Sequence, residues 1–143
     1  MKISARSLEK YQVEITAGNH IYRSDEPIRD GGDDTGPNPY ALLLGALGAC
    51  KVITVRMYAQ RKGWPLEDVE VDLSTYKIHA KDCEDCESDP DAKVDIIECE
   101  IGFKGDLTTE QIHRLKEISE RCPVHRTLTS ETKIRTVLSM ALA

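Results

Sequence analysis

Apolar and polar positions change period several times along this 143-residue chain, and each change marks an element. Residues 2–16 alternate loosely, with Tyr11, Val13, Ile15 and Thr16 at their end, while Ala17-Gly18-Asn19 is a turn signal and His20 to Ser24 reads as a return strand. The pattern predicts a hairpin. Residues 25–38 then hold two prolines and three glycines in close succession with Asp and Asn, which predicts a loop. Its length points to a binding or active-site segment rather than a plain connector. Asn38 as N-cap and Pro39 as first helical residue predict a helix running to about Lys62 and stopped by Gly63. Leu42, Leu43, Leu44, Ala46, Leu47, Ala49, Val52, Ile53 and Val55 leave that helix without a polar face, so it needs cover all round; a second subunit is the expected source. Gly45 and Gly48 within it predict a close helix–helix approach.

Farther on, residues 69–78 alternate with period two, and residues 93–104 do so again after a polar stretch; these predict two strands, antiparallel to each other. Thr108 or Thr109 caps a second helix with Ile112, Leu115 and Ile118 on one face, closing near Arg121 and Cys122. Residues 132–138 predict a last strand. The element order gives an α+β fold with antiparallel sheets around two helices, the long apolar one carrying Cys50, in a single domain over residues 1–143.

Charge narrows the partners. A net charge of −6, with Lys and Arg scattered among 31% charged residues, argues against nucleic acid and against an anionic membrane surface. The N-terminal residues lack the apolar core of a secretory signal, and no uncharged apolar run reaches the length of a membrane span, so a cytoplasmic location is expected.

Five cysteines carry the candidate chemistry. Cys50 ends the apolar run that begins at Pro39, and Cys122 is followed at once by Pro123-Val124-His125-Arg126. Either is compatible with simple core packing or helix capping. The chemical reading needs a thiolate at Cys50 and therefore a nearby cation, for which the loop offers Arg29, with Arg23 as its rival. Such a thiolate attacks a peroxide O–O bond, becomes a sulfenic acid, and is resolved to a disulfide by a second thiol, for which Cys122 is the candidate. Cys83 and Cys86 form a two-residue-spaced pair that suits zinc, with Cys99 as a further ligand, a reversible disulfide, or unpaired thiols.

The segment from Gly36 through Cys50, followed by Thr54, Arg56, Tyr58 and Lys62-Gly63-Trp64, resembles the first cysteine motif of the OsmC/Ohr family of osmotically induced and organic-hydroperoxide-resistance proteins. Cys122-Pro-Val-His-Arg-Thr-Leu128 is similar to the second motif of its OsmC-like branch. The resemblance spans almost the whole chain. It implies a thiol peroxidase acting on organic hydroperoxides, with Cys50 peroxidatic and Cys122 resolving, in an intertwined homodimer. It implies no metal or organic cofactor, and an external dithiol, such as a lipoylated protein, as reductant. One position departs from the family pattern: Tyr40 stands ten positions before Cys50, where characterised members carry a glutamate that pairs with a loop arginine. Two alternatives stay open, a non-enzymatic dimeric redox sensor or ligand-binding protein, and an acyl-transfer enzyme using His125 as base.

Overall fold

The computed structural model describes residues 1–139 of the chain. Three short strands open it, β1 (Ile3–Ser7), β2 (Val13–Ala17) and β3 (His20–Ser24), joined as an antiparallel meander in which Ile3 faces Ala17 and Val13 faces Ser24. The expected hairpin is thus its second half. Gly18, at φ 59°, supplies the positive φ that the two-residue turn between β2 and β3 requires.

Helix α1 (Pro39–Lys62) begins and ends where the sequence places it. The Asn38 side chain accepts from the Ala41 N–H at 2.8 Å, and Gly63, at φ 69°, turns the chain out of the helix. Strands β4 (Leu66–His79) and β5 (Lys93–Gly105) pair with each other. Tyr76 donates to Glu98 and Lys77 pairs with Asp95, a descending register that makes the pair antiparallel. Helix α2 (Thr109–Ser119) is closed at its start by a reciprocal capping box between Thr108 and Gln111.

Four expectations need correction. A third helix, α3 (Pro123–Thr129), follows α2, with Cys122 as its N-cap. Pro123 cannot extend α2, but its fixed φ suits the first position of a new helix. No strand forms over residues 132–138 among the described residues, and Ile134 and Val137 stand 89% and 86% exposed. Gly48 does not serve a helix–helix contact: a Cβ there would press on Cδ1 of Leu73 in β4, so the glycine admits a strand, and a Cβ on Gly45 would meet open space. Finally, α1 is long and apolar enough to cross a membrane by length and composition, since the helix runs on past Lys51 with few charges.

The chain divides into two compact units, one of residues 1–49 with 72–100 and one of residues 50–71 with 101–143. In the first, the loop after β3 is organised by Asp25, only 2% exposed. Its carboxylate accepts from the N–H groups of Glu26, Asp33 and Thr35 and from the Thr35 hydroxyl, at 2.8 to 3.3 Å. These donors, the Thr35 N–H foremost, hold the Asp25 carboxyl below its ordinary pKa. In the second, Val55, Tyr58 and Ala59 of α1 pack with Val69 of β4 and with Leu115 and Ile118 of α2. Ile112, expected inside, is 37% exposed. Tyr58 meets Trp64 edge-on at 5.5 Å between centroids, and its hydroxyl accepts from Arg114 Nε at 3.1 Å.

Candidate functional site: a thiol pair beside a buried lysine

All the close contacts of the site lie in the second unit. Helix α1 presents Cys50, half-buried, and on the next position Lys51, only 3% exposed. The break between α2 and α3 presents Cys122, fully buried. Cys122 is extended at φ −64° and ψ 145°, the N-cap conformation, and its Sγ accepts from the His125 N–H at 3.4 Å. The Val124 N–H points to Cys50 Sγ at 3.5 Å, so consecutive amides of one short helix address both sulfurs. The two thiols are free, and the neighbouring Cys50 sulfur acts on the Cys122 thiol.

Burial pushes the Cys122 thiol up from its ordinary pKa; the His125 amide opposes this, the Cys50 sulfur reinforces it, and the Lys51 charge opposes it. Cys122 is therefore held as the protonated partner. Lys51 Nζ donates to the Ser119 carbonyl at 3.1 Å and lies 3.0 Å from His125 Nδ1. A lysine ammonium has only donors, so Nδ1 must accept and the ring proton sits on Nε2. Burial first, and the Lys51 charge second, hold His125 below its ordinary pKa, which agrees with a neutral ring.

Beside the pair, a cleft of about 500 Å³ is lined by Thr54, Met57, Tyr58, Arg114, Ile118 and Pro123, among others. Thr54 is one turn beyond Cys50, and Pro123 adjoins Cys122. The cleft thus has apolar walls and arginines at its rim.

Of the residues picked from the sequence, Cys50 and Cys122 come together. Arg29 lies in the first unit, on a short 3-10 turn (Ile28–Asp30), with its side chain 83% exposed and its Nε 3.6 Å from Asp30. Tyr40, at the position that departs from the family pattern, is 59% exposed. Lys51 was not singled out from the sequence, although a lone lysine directly after a cysteine inside an apolar run is the signal that could have found it. Cys83 and Cys86 form a disulfide and Cys99 is exposed.

The model of the OsmC-like protein family matches residues 31–137, so the chain belongs to that family. An uncharacterized protein of Haloferax volcanii is 28% identical over 103 residues, which is 71% of this chain and 70% of that one. Among solved structures, an osmotic-stress-induced and detoxification-response protein from Psychrobacter arcticus matches with a TM-score of 0.70 at 13% identity, over 89% of this chain and 87% of that one. The organic hydroperoxide resistance protein OhrB of Bacillus subtilis matches with a TM-score of 0.59 at 20% identity, over 90% and 89% of the two chains. The α+β fold with antiparallel sheets is thus the fold these proteins share.

Proposed function

We propose that this chain is a thiol-dependent peroxidase that reduces organic hydroperoxides. The observation that carries the reading is that successive amides of α3 face the sulfurs of a half-buried Cys50 and a buried Cys122, whose thiol feels the charge of Lys51. Cys50, as thiolate, attacks the outer oxygen of ROOH; the O–O bond breaks, the sulfur becomes a sulfenic acid, and the alkoxide takes up a proton to leave as alcohol. The Cys122 thiol then displaces the sulfenic oxygen, which leaves as water with the thiol proton, and a Cys50–Cys122 disulfide forms. An external dithiol, for which a lipoylated protein is a suitable source, returns both thiols and carries away the oxidising equivalents as its own disulfide.

The membership in a family that includes hydroperoxide-resistance proteins supports the substrate class. In this reading the Val124 N–H, 3.5 Å from Cys50 Sγ, is the donor that faces the reactive sulfur, and Lys51 sets a positive charge by the Cys122 thiol. The protein works as a homodimer in the cytoplasm. Exposed Leu43, Ile53 and Met57 on α1, with Ile134, Val137 and Leu138 after α3, support a second copy as their cover. Lys51, bonded to the α2 end and to α3 from the middle of α1, supports packing of that helix in protein rather than lipid.

Two observations favour a second reading as a slow, non-enzymatic redox sensor: Tyr40 in place of the family glutamate, and Arg29 beside Asp30. Dithiol-supported reduction of an alkyl hydroperoxide separates the two. The peroxidase reading expects turnover that C50S abolishes; equal, residual rates for wild type and C50S would reject it in favour of the sensor.

A further inference from the structure

The connection from β4 to β5 carries a second set of sulfurs that the peroxide chemistry does not use. Cys83 and Cys86 are joined, with Cα atoms 5.4 Å apart. Asp85 Oδ1 lies 3.2 Å from Cys83 Sγ, and one donor atom from each of Cys83, Asp85 and Cys86 falls within 4.8 Å of the others. A disulfide sulfur has no proton to give, so the carboxylate approach has no partner chemistry in the oxidised state. It acquires one when the bond is opened.

Charge tells what kind of partner. From Lys81 to Asp91 the chain carries Asp82, Glu84, Asp85, Glu87, Asp89 and Asp91 against the single Lys81. Such surroundings oppose bare thiolates, which makes the reduced pair a poor nucleophile for exchange. A divalent cation removes that opposition, because it is the dominant local charge and deprotonates the thiols that bind it. Two soft sulfurs with one carboxylate suit a borderline-soft ion, and three protein donors leave a fourth tetrahedral position to water. Both cysteines are half-buried while Asp85 is exposed, which leaves the ion an open side for entry.

We propose that Cys83, Asp85 and Cys86 form a redox-gated binding site for a divalent cation of the zinc class. In the disulfide form the site is closed. An external dithiol reduces it, giving two thiols and the reductant's own disulfide; the cation then displaces two protons, forms two metal–thiolate bonds and takes Asp85 as third ligand. The ligand set differs from the one the sequence suggests: Cys99 does not belong to the converging group, and Asp85 does. Cys99 follows Glu98, which is engaged by Tyr76 well along the ladder from the loop.

The test is Co(II) titration of the full-length chain, in wild type and in C50S/C122S so that the other thiol pair contributes no signal, followed in each case by Zn(II). After reduction and removal of reductant, both proteins are expected to show a thiolate-to-Co(II) charge-transfer band that saturates at one equivalent in C50S/C122S and is bleached by Zn(II). Diamide-oxidised C50S/C122S is expected to give none, and adding C83S or C86S to that background to abolish the band. Asp85→Asn in the same background weakens binding about 10-fold or more. Absence of the band from reduced C50S/C122S, or its survival with C83S or C86S, would overturn the site; unchanged affinity in Asp85→Asn would remove Asp85 from it. None of these results depends on whether the chain reduces peroxides.

Discussion

Nζ of Lys51 lies 3.0 Å from Nδ1 of His125, and the same ammonium donates to the Ser119 carbonyl at 3.1 Å. One side chain thus ties α1 to the end of α2 and the body of α3, the two elements that bracket Cys122. Lys51 is only 3% exposed and His125 half-buried, so removing the ammonium leaves the Ser119 carbonyl, and in part the ring nitrogen, without a donor. Lys51→Met is therefore expected to lower stability by about 1–3 kcal/mol for each group left unpaired, read from the denaturant midpoint. It should also slow oxidation of Cys50, measured by stopped-flow, because the cation beside the sulfurs is gone. A midpoint and a rate both equal to wild type would refute the part given to Lys51.

Thiol reactivity should follow access and protonation. Cys99 is exposed, Cys50 half-buried, and Cys122 fully buried with its thiol pushed up. Timed alkylation of the native protein with iodoacetamide, mapped by peptide mass, is expected to label Cys99 and Cys50 while Cys122 reacts only after denaturation. Labelling of Cys122 ahead of Cys50 would reverse their assigned roles.

His125 and Asp25 both make the fold weaker on the acid side. For each, the folded pKa lies below the ordinary value, 6.5 for the imidazole and 3.8 for the carboxyl. The unfolded chain then binds more protons in the window beneath each value, so stability rises with pH there. The His125 contribution is complete above pH 6.5 and fades as pH falls toward its folded value; that of Asp25 is complete above 3.8 and fades below. Urea midpoints taken from pH 8 downward should decline in these two steps, and His125→Asn should flatten the first. An imidazole signal titrating above 6.5 would contradict the environment described for His125.

In the core of the second unit, Leu115 has no exposed surface. Leu115→Ala is expected to cost about 2–5 kcal/mol, seen as a lower thermal midpoint. A loss below about 1 kcal/mol would mean that the α1–α2 contact collapses to fill the space.

Much of the frame was legible because it rests on local rules. Asn38, Pro39 and Gly63 mark the ends of α1 through capping and backbone restriction, and Thr108 caps α2 as expected. The pairing of β4 with β5 followed from alternation alone. Lys51 was not legible, because a buried cation becomes sensible only when Ser119 and His125, remote in sequence, supply its acceptors. The sequence pointed to Arg29 as the cation for the reactive sulfur and did not point to Lys51, whose charge acts on the Cys122 thiol; Arg29 lies beside its neighbour Asp30. Residues 132–138 have a strand-like pattern but pair with no strand among the described residues, and alternation cannot reveal whether a partner is present. Cys122 was read as closing one helix, and it starts another because Pro123 forbids the first to continue.

The most direct measurement is intact and peptide mass spectrometry of the reduced chain after one equivalent of cumene hydroperoxide. The account predicts a loss of two hydrogens localised to a Cys50–Cys122 link in wild type. It predicts a dimedone-trappable sulfenic acid at Cys50 in C122S, and neither product in C50S. A wild-type protein in which Cys50 stays reduced, or in which it is oxidised without ever linking to Cys122, would contradict it.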